Sequence, residues 1–160
     1  NATTGSTGAG VGLSSTGHFS WRNNNFSWYK PFTHQHLGEI EETLGNPKLY
    51  FLPQRGNFTR GIFASCYTPF DGSLKDAEAM YKDFYNSHPF THVSDKELTL
   101  KQVVNTNHCA LHLHQYEDQL LVTSVIDNLL KGASGQAIQN LNLMMGWEED
   151  LGLQLKASVF

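Results

Sequence analysis

The chain has 160 residues, 39% of them hydrophobic and 16% charged, with a formal net charge of −4 and an isoelectric point near 6.0. That length suits one domain with a buried core, and the acidic balance excludes a general nucleic-acid binder, which would carry a basic patch. No run approaches the roughly 18–20 apolar residues of a membrane span and no signal segment is present, while two lone cysteines, Cys66 and Cys109, fit a reducing cytoplasm better than a disulfide scaffold.

Residues 1–31 are rich in Gly, Ser, Thr and Asn, with Phe19, Trp21, Phe26, Trp28 and Tyr29 interspersed. This composition predicts a long ordered loop clamped by its rings, with no strand before Gly5, Gly8 and Gly10. Asn1-Ala2 read as the remnant of an expression tag. Leu37, Ile40 and Leu44 fall at helical spacing and predict a helix over 36–45, ended by Gly45-Asn46-Pro47. Strands are expected at 48–52 and 61–68. Ser73 and Asp76 form a capping-box pattern, and Leu74, Ala77, Tyr81 and Phe84 stripe the helix that follows to Asn86, before Pro89. A short strand is expected at 90–93, then two long strands at 102–114 and 119–126 joined as an antiparallel hairpin. The last helix, 134–145, carries Ala137, Ile138, Leu141, Met144 and Met145 on one side, with Gly146 as C-cap. This order predicts an α+β domain: a mixed or antiparallel sheet with helices on one face.

Several groups could carry chemistry. The loop Thr4–Gly10 offers the hydroxyls of Ser6 and Thr7 and the flexible backbone at Gly8, suited to an anion or equally to a Ser/Gly linker. His34 and His36 could share a proton or a metal, and Glu39 lies on the same helical side as His36; the alternative is a set of polar helix-entry residues. Arg60 could pair bidentately with carboxylate or phosphate, with Gly61 allowing close approach, whereas Arg55 reads as a solvated charge in a connecting loop. Lys131, Gly132, Ala133, Ser134 and Gly135 open the last helix, where glycines and the helix dipole favour an anion or dinucleotide; close helix–strand packing explains the glycines equally well. Cys109 shares its strand face with Leu111 and Leu113, where a thiol is inert. His108, His112 and His114 share the other face; without a carboxylate or thiolate beside them no metal is assigned, and an exposed or interface face is expected.

Five strings occur together: Thr4-Gly5-Ser6-Thr7-Gly8-Ala9-Gly10, Thr33-His34-Gln35-His36-Leu37-Gly38-Glu39-Ile40, Phe51-Leu52-Pro53-Gln54 with Gly56-Asn57-Phe58-Thr59-Arg60-Gly61-Ile62, Thr106-Asn107-His108-Cys109, and Ile126-Asp127-Asn128-Leu129-Leu130-Lys131-Gly132-Ala133-Ser134-Gly135-Gln136. In that order they resemble the second half of N-acetyl-γ-glutamyl-phosphate reductases, NADP-dependent enzymes of arginine biosynthesis. The resemblance implies a C-terminal substrate-binding and dimerisation domain, like that of glyceraldehyde-3-phosphate-dehydrogenase-type reductases. It implies acid/base roles for His36 or His34 with Glu39, and substrate binding by Arg60, Ser6, Thr7 and Gly8. It places Lys131, Gly132, Ala133, Ser134 and Gly135 beside NADP. Where the family typically shows Pro-His this chain has Pro53-Gln54, so no proton shuttle is expected at Gln54. No Gly-x-Gly-x-x-Gly follows a leading strand and no Gly-Cys turn is present. A separate N-terminal dinucleotide-binding domain with the catalytic cysteine is therefore expected as partner, with an N-acyl-glutamyl phosphate substrate, a homo-oligomer and a cytoplasmic location. The rival readings are an aspartate-semialdehyde-type dehydrogenase domain and a noncatalytic His-rich metal-binding or scaffold module.

Overall fold

The computed structural model describes residues 1–158. Alternating apolar residues in 109–126 build its centre, an antiparallel pair closed by a tight turn at Glu117-Asp118. The strands are β1 (Ala2–Thr4), β2 (Ser27–Trp28), β3 (Pro53–Arg55), β4 (Ile62–Pro69), β5 (Thr91–Val93), β6 (Cys109–Tyr116) and β7 (Gln119–Ile126). They form one sheet in the order β2-β3-β1-β4-β7-β6-β5. The β1–β3 and β5–β6 pairs are parallel and the remaining pairs antiparallel, so the expected mixed sheet is present.

The helices are α1 (Phe19–Arg22), α2 (Leu37–Thr43), α3 (Leu74–Tyr85) and α4 (Gly135–Met145), the last entered through a π-helical turn at Leu130–Ser134. At the start of α3 the predicted capping box forms: Ser73 Oγ accepts from the Asp76 amide at 3.2 Å, and the Asp76 carboxylate accepts from the Ser73 amide at 3.2 Å. Ala77 of α3 then packs on Leu113 and Leu120, with Leu74, Tyr81 and Val122 around them. The opposite face is covered only at one end, where Leu98 and Val103 pack on Val125. Burying such side chains stabilises by roughly 1.5–3 kcal/mol each.

Four expectations are corrected. The strand expected at 48–52 lies at Pro53–Arg55 instead, because its partner is β1, itself drawn from the segment read as loop. Residues 1–2 do not behave as an appendage: Ala2 pairs with Pro53 and Ala64, and the Asn1 amino group donates to the Ser65 carbonyl at 3.0 Å. Nor do the rings clamp the first 31 residues. Phe19, Trp21, Phe26 and Trp28 face outward, and buried Arg22 ties the segment together by donating to the Thr16 carbonyl and to Ser27 Oγ at 3.0 and 2.8 Å. The long strand expected from 102 begins only at Cys109. A 3₁₀ turn at Leu100–Gln102 and a left-handed Asn105 (φ 71°) break the extended run.

The last helix is inside out. Gly135, Gln139 and Asn142 are its buried residues, while Ile138, Leu141, Met144 and Met145 are exposed. Gly146 does cap it in the left-handed conformation, at φ 68°. Among the described residues no helix is long and apolar enough to cross a membrane.

Candidate active site

The C-terminal ends of β1 and β3 lie beside the start of β4 and the end of β7, since Thr4 pairs with Arg55 and Ile62, and Ile62 with Ile126. Most of the expected site residues converge on this end of the sheet. Asp127, immediately after β7, is fully buried. Its Oδ1 accepts from the Leu129 and Leu130 amides at 2.8 and 2.9 Å, and its Oδ2 from the Asn105 amide at 2.7 Å. Arg60 Nη2 closes the set at 3.0 Å from Oδ2. Burial pushes the Asp127 carboxyl up, but the amides of Asn105, Leu130 and Leu129, together with Arg60, outweigh it and hold the pKa below the usual carboxylate value.

Asn128 extends this clasp. Its Oδ1 accepts from the Gly61 amide at 2.7 Å and its Nδ2 donates to Thr7 Oγ1 at 3.0 Å. Gly61 has φ 109°, and a side chain there would run into Leu100, so its glycine is required within the domain itself. The amides expected to greet an anion in the first loop are already bound. Those of Gly5, Ser6 and Thr7 donate to the carbonyls of Gly61, Phe58 and Thr59 at 3.0, 2.8 and 3.1 Å. Thr7 Oγ1 also donates to Thr59 O at 2.6 Å. What this loop still presents is the Ser6 hydroxyl and the exposed backbone of Gly8.

The turn before α4 divides in the same way. Lys131 turns inward: its Nζ donates to Gln139 Oε1 at 2.7 Å and lies 5.7 Å from the centre of the Phe90 ring, and burial lowers its pKa. A Cβ on Gly135 would lie 2.2 Å from Asn107 Oδ1, so this glycine seats the helix on the sheet. Gly132 is different. A Cβ there would meet only ordinary contacts at 3.5 Å, although its amide is bound to the Asp127 carbonyl at 2.9 Å. Gly132, Ala133 and Ser134 are all exposed.

His34, His36 and Glu39 form a second group next to the β2–β3 edge. His36 precedes α2, and its backbone N–H donates to His34 Nδ1 at 3.2 Å, which leaves the proton of neutral His34 on Nε2. Tyr29 and Phe51 meet the His34 ring edge-on, each at 5.4 Å. Burial, then the charges of His36 and Lys30, lower the His34 pKa. Glu39 stands exposed in the first turn of α2, and no hydrogen bond joins it to either imidazole. The structure therefore brings Arg60, the first loop and the π-helical turn together by direct hydrogen bonds, and links the histidines to them only through the β1–β3 pairing.

Two features escaped the sequence. Arg55, read as a solvated loop charge, is the last residue of β3 and lies over the Tyr29 ring, 4.5 Å from its centre. Asp127 and Asn128, read only as the end of a strand, organise the whole end of the sheet; an Asp-Asn pair closing an apolar strand ahead of a helix was the available signal. The three strand histidines do not assemble: His108 pairs with His92 at 2.9 Å, His112 with the Ser94 carbonyl at 3.0 Å, and His114 is exposed. Among the described residues no cluster of three metal-ligating side chains occurs. The Cys109 thiol lies 3.5 Å from Ser124 Oγ and is pushed up in pKa by burial, as its apolar strand face implied.

Residues 1–128 match the family described as the semialdehyde dehydrogenase dimerisation domain. Over its whole length the chain is 57% identical to an N-acetyl-gamma-glutamyl-phosphate reductase of Christiangramia forsetii, of which it covers 52%. It is 55% identical to the protein of that name in Parabacteroides distasonis, again covering 52% of it, and 57% identical to that of Flavobacterium johnsoniae, covering 51%. The chain thus spans about half the length of the curated relatives it matches. In fold it is similar to aspartate semialdehyde dehydrogenase II from Vibrio cholerae, solved in complex with ASA, with a TM-score of 0.65 at 13% identity over 91% of this chain and 54% of that one. The chain belongs to the semialdehyde dehydrogenase dimerisation-domain family.

Proposed function

We propose that this chain is the C-terminal, substrate-binding and dimerisation domain of an NADP-dependent N-acetyl-γ-glutamyl-phosphate reductase, a cytoplasmic enzyme that converts the acyl phosphate to the semialdehyde in arginine biosynthesis. The observation that carries this reading is the identity of 55–57% along the whole chain to reductases of that name, each about twice as long. In this reading the dinucleotide-binding domain and the cysteine nucleophile belong to the part of such a reductase outside these 160 residues.

When bound, the nicotinamide cofactor supplies the hydride. Its fit to this chain rests on Gly132: nothing within the domain demands glycine there, and the exposed run Gly132–Ser134 leaves backbone at the surface. Lys131 and Gly135 serve that turn from inside, through Gln139 and Asn107.

Proton transfer falls to the histidine pair. His34, with Nδ1 occupied and its proton on Nε2, is a donor toward a substrate oxygen. Exposed His36 accepts no such constraint on its ring and is the acid/base, with Glu39 on the same helical side as its counter-charge. Arg60, partly exposed while anchored on Asp127, and the Ser6 hydroxyl supply anion contacts.

Two surfaces fit the partners. On the sheet face away from α3, Tyr67, Leu121 and His114 stand side by side in register with Tyr116 beyond them, an exposed face suited to two-fold pairing. The outward stripe Ile138, Leu141, Met144 and Met145 on α4 is the contact for the dinucleotide-binding half. NADP- and phosphate-dependent oxidation of N-acetylglutamate semialdehyde by the full-length protein tests the reading, and the absence of turnover contradicts it.

A further inference from the structure

Arg60, the arginine expected to hold substrate, has its guanidinium committed to buried Asp127. Arg55 has no such commitment. Among the described residues no carboxylate lies within ion-pair distance of it and no side-chain hydrogen bond engages it; its Nε is buried without a partner, as is that of Arg60, so what sets Arg55 apart is that none of its guanidinium nitrogens is engaged. A buried guanidinium nitrogen left unsatisfied is costly unless something completes it, which makes Arg55 a group awaiting an acceptor.

Its placement narrows what that acceptor is. Arg55 pairs with Thr4 on one side and Ser27 on the other, so alternation puts its side chain on the sheet face shared with Thr4 and Ile62. This is also the face of Ile126, whose side chain lies under the Gly132 turn. The Arg55 guanidinium at 4.5 Å and the His34 imidazole at 5.4 Å both pack on the Tyr29 ring. The cation–π contact with Tyr29 holds the guanidinium in place, and its planar fork matches the two oxygens of a carboxylate.

We propose that Arg55 is a substrate-binding residue that grips a carboxylate of the N-acyl-glutamyl substrate beside His34, while Arg60 is chiefly the anchor of Asp127. This assignment rests on the reductase reading above. The probe is N-acetyl-L-glutamate, titrated calorimetrically into the full-length protein and its Arg55→Leu and Arg55→Lys variants, with inorganic phosphate as a second titrant. Leucine keeps an apolar stem against Tyr29, so melting temperature reports separately on packing.

The expected result is that Arg55→Leu weakens N-acetylglutamate roughly 10- to 100-fold, the usual worth of a charge-assisted hydrogen bond. Arg55→Lys should recover part of the loss, with phosphate binding and melting temperature nearly unchanged. Equal affinity for N-acetylglutamate in all three proteins, a loss that falls on phosphate alone, or no binding by the unsubstituted protein would overturn the proposal. Carboxylate binding that depends on Arg55 in a protein without semialdehyde turnover would retain it and discard the reductase reading.

Discussion

Arg60 and Asp127, 67 residues apart in sequence, meet at 3.0 Å across the end of the sheet, the carboxylate wholly buried and the guanidinium partly exposed. The pair joins the loop before β4 to the turn before α4. Removing the cation leaves a buried carboxylate held by amides alone, whereas removing the carboxylate strands the Asn105, Leu129 and Leu130 amides as well. Asp127→Ala should therefore cost more than Arg60→Leu, about 3 against about 1–2 kcal/mol, in denaturant unfolding. Equal and negligible losses would show the clasp to be ornamental.

The same carboxylate sets an acid dependence. Its folded pKa lies below the unfolded value, so its contribution to stability is fully present above the ordinary carboxylate range and is lost as pH falls through the lower folded value. Unfolding free energy measured from about pH 5 downward should fall less steeply in Asp127→Asn than in the parent. Parallel curves would contradict the assignment.

His34 has the opposite chemistry and the same downward direction. With burial and the charges of His36 and Lys30 against the imidazolium, its NMR titration midpoint should lie below about 6.5. Because the folded pKa is depressed, neutral His34 supports the fold above the unfolded value and that support fades as pH drops through the folded one. A midpoint at or above the ordinary value would contradict the half-buried, charge-flanked setting assigned to its ring.

The sheet pairings and α3 were largely legible, because period-two alternation in 109–126 and the Ser73-Asp76 box act locally. β1 was not, since three residues of Ala and Thr become a central strand only once β3 and β4 flank them. The helix α4 carried a clear amphipathic pattern, but sequence periodicity cannot say which side faces this domain, and here Gln139 and Asn142 point inward. At the candidate site, the family strings singled out the histidines and the turn. They did not reveal that the first-loop amides are internally bound, or that Arg55 lies on a strand over Tyr29, because both depend on contacts between residues far apart in sequence.

The two glycines of the last turn should separate cleanly. Gly135→Ala drives a methyl toward Asn107 Oδ1 and the Leu130 carbonyl and should destabilise by about 1–3 kcal/mol. Gly132→Val should leave melting nearly intact and raise the NADP KM in the full-length protein, with Lys131→Ala costing much less there. A Gly132→Val protein that melts early but binds NADP normally would assign both glycines to packing.

Pairing through the free sheet face predicts that Tyr67→Glu shifts sedimentation toward a smaller species, because the charge lands beside Leu121 in the exposed patch. An unchanged sedimentation coefficient would place the interface elsewhere.

As the proposed C-terminal domain of an N-acetyl-γ-glutamyl-phosphate reductase, this chain would supply the enzyme's substrate-binding and acid/base groups. The direct measurement is kcat and KM of the full-length protein, and of its His36→Ala variant, for N-acetylglutamate semialdehyde and for aspartate semialdehyde with NADP and phosphate. Expected are a strong preference for the N-acyl substrate, no turnover by the 160-residue chain alone, and a fall in kcat of roughly 10²–10⁴-fold in His36→Ala with folding unchanged. Preference for aspartate semialdehyde, or a His36→Ala variant that retains kcat, would contradict that assignment.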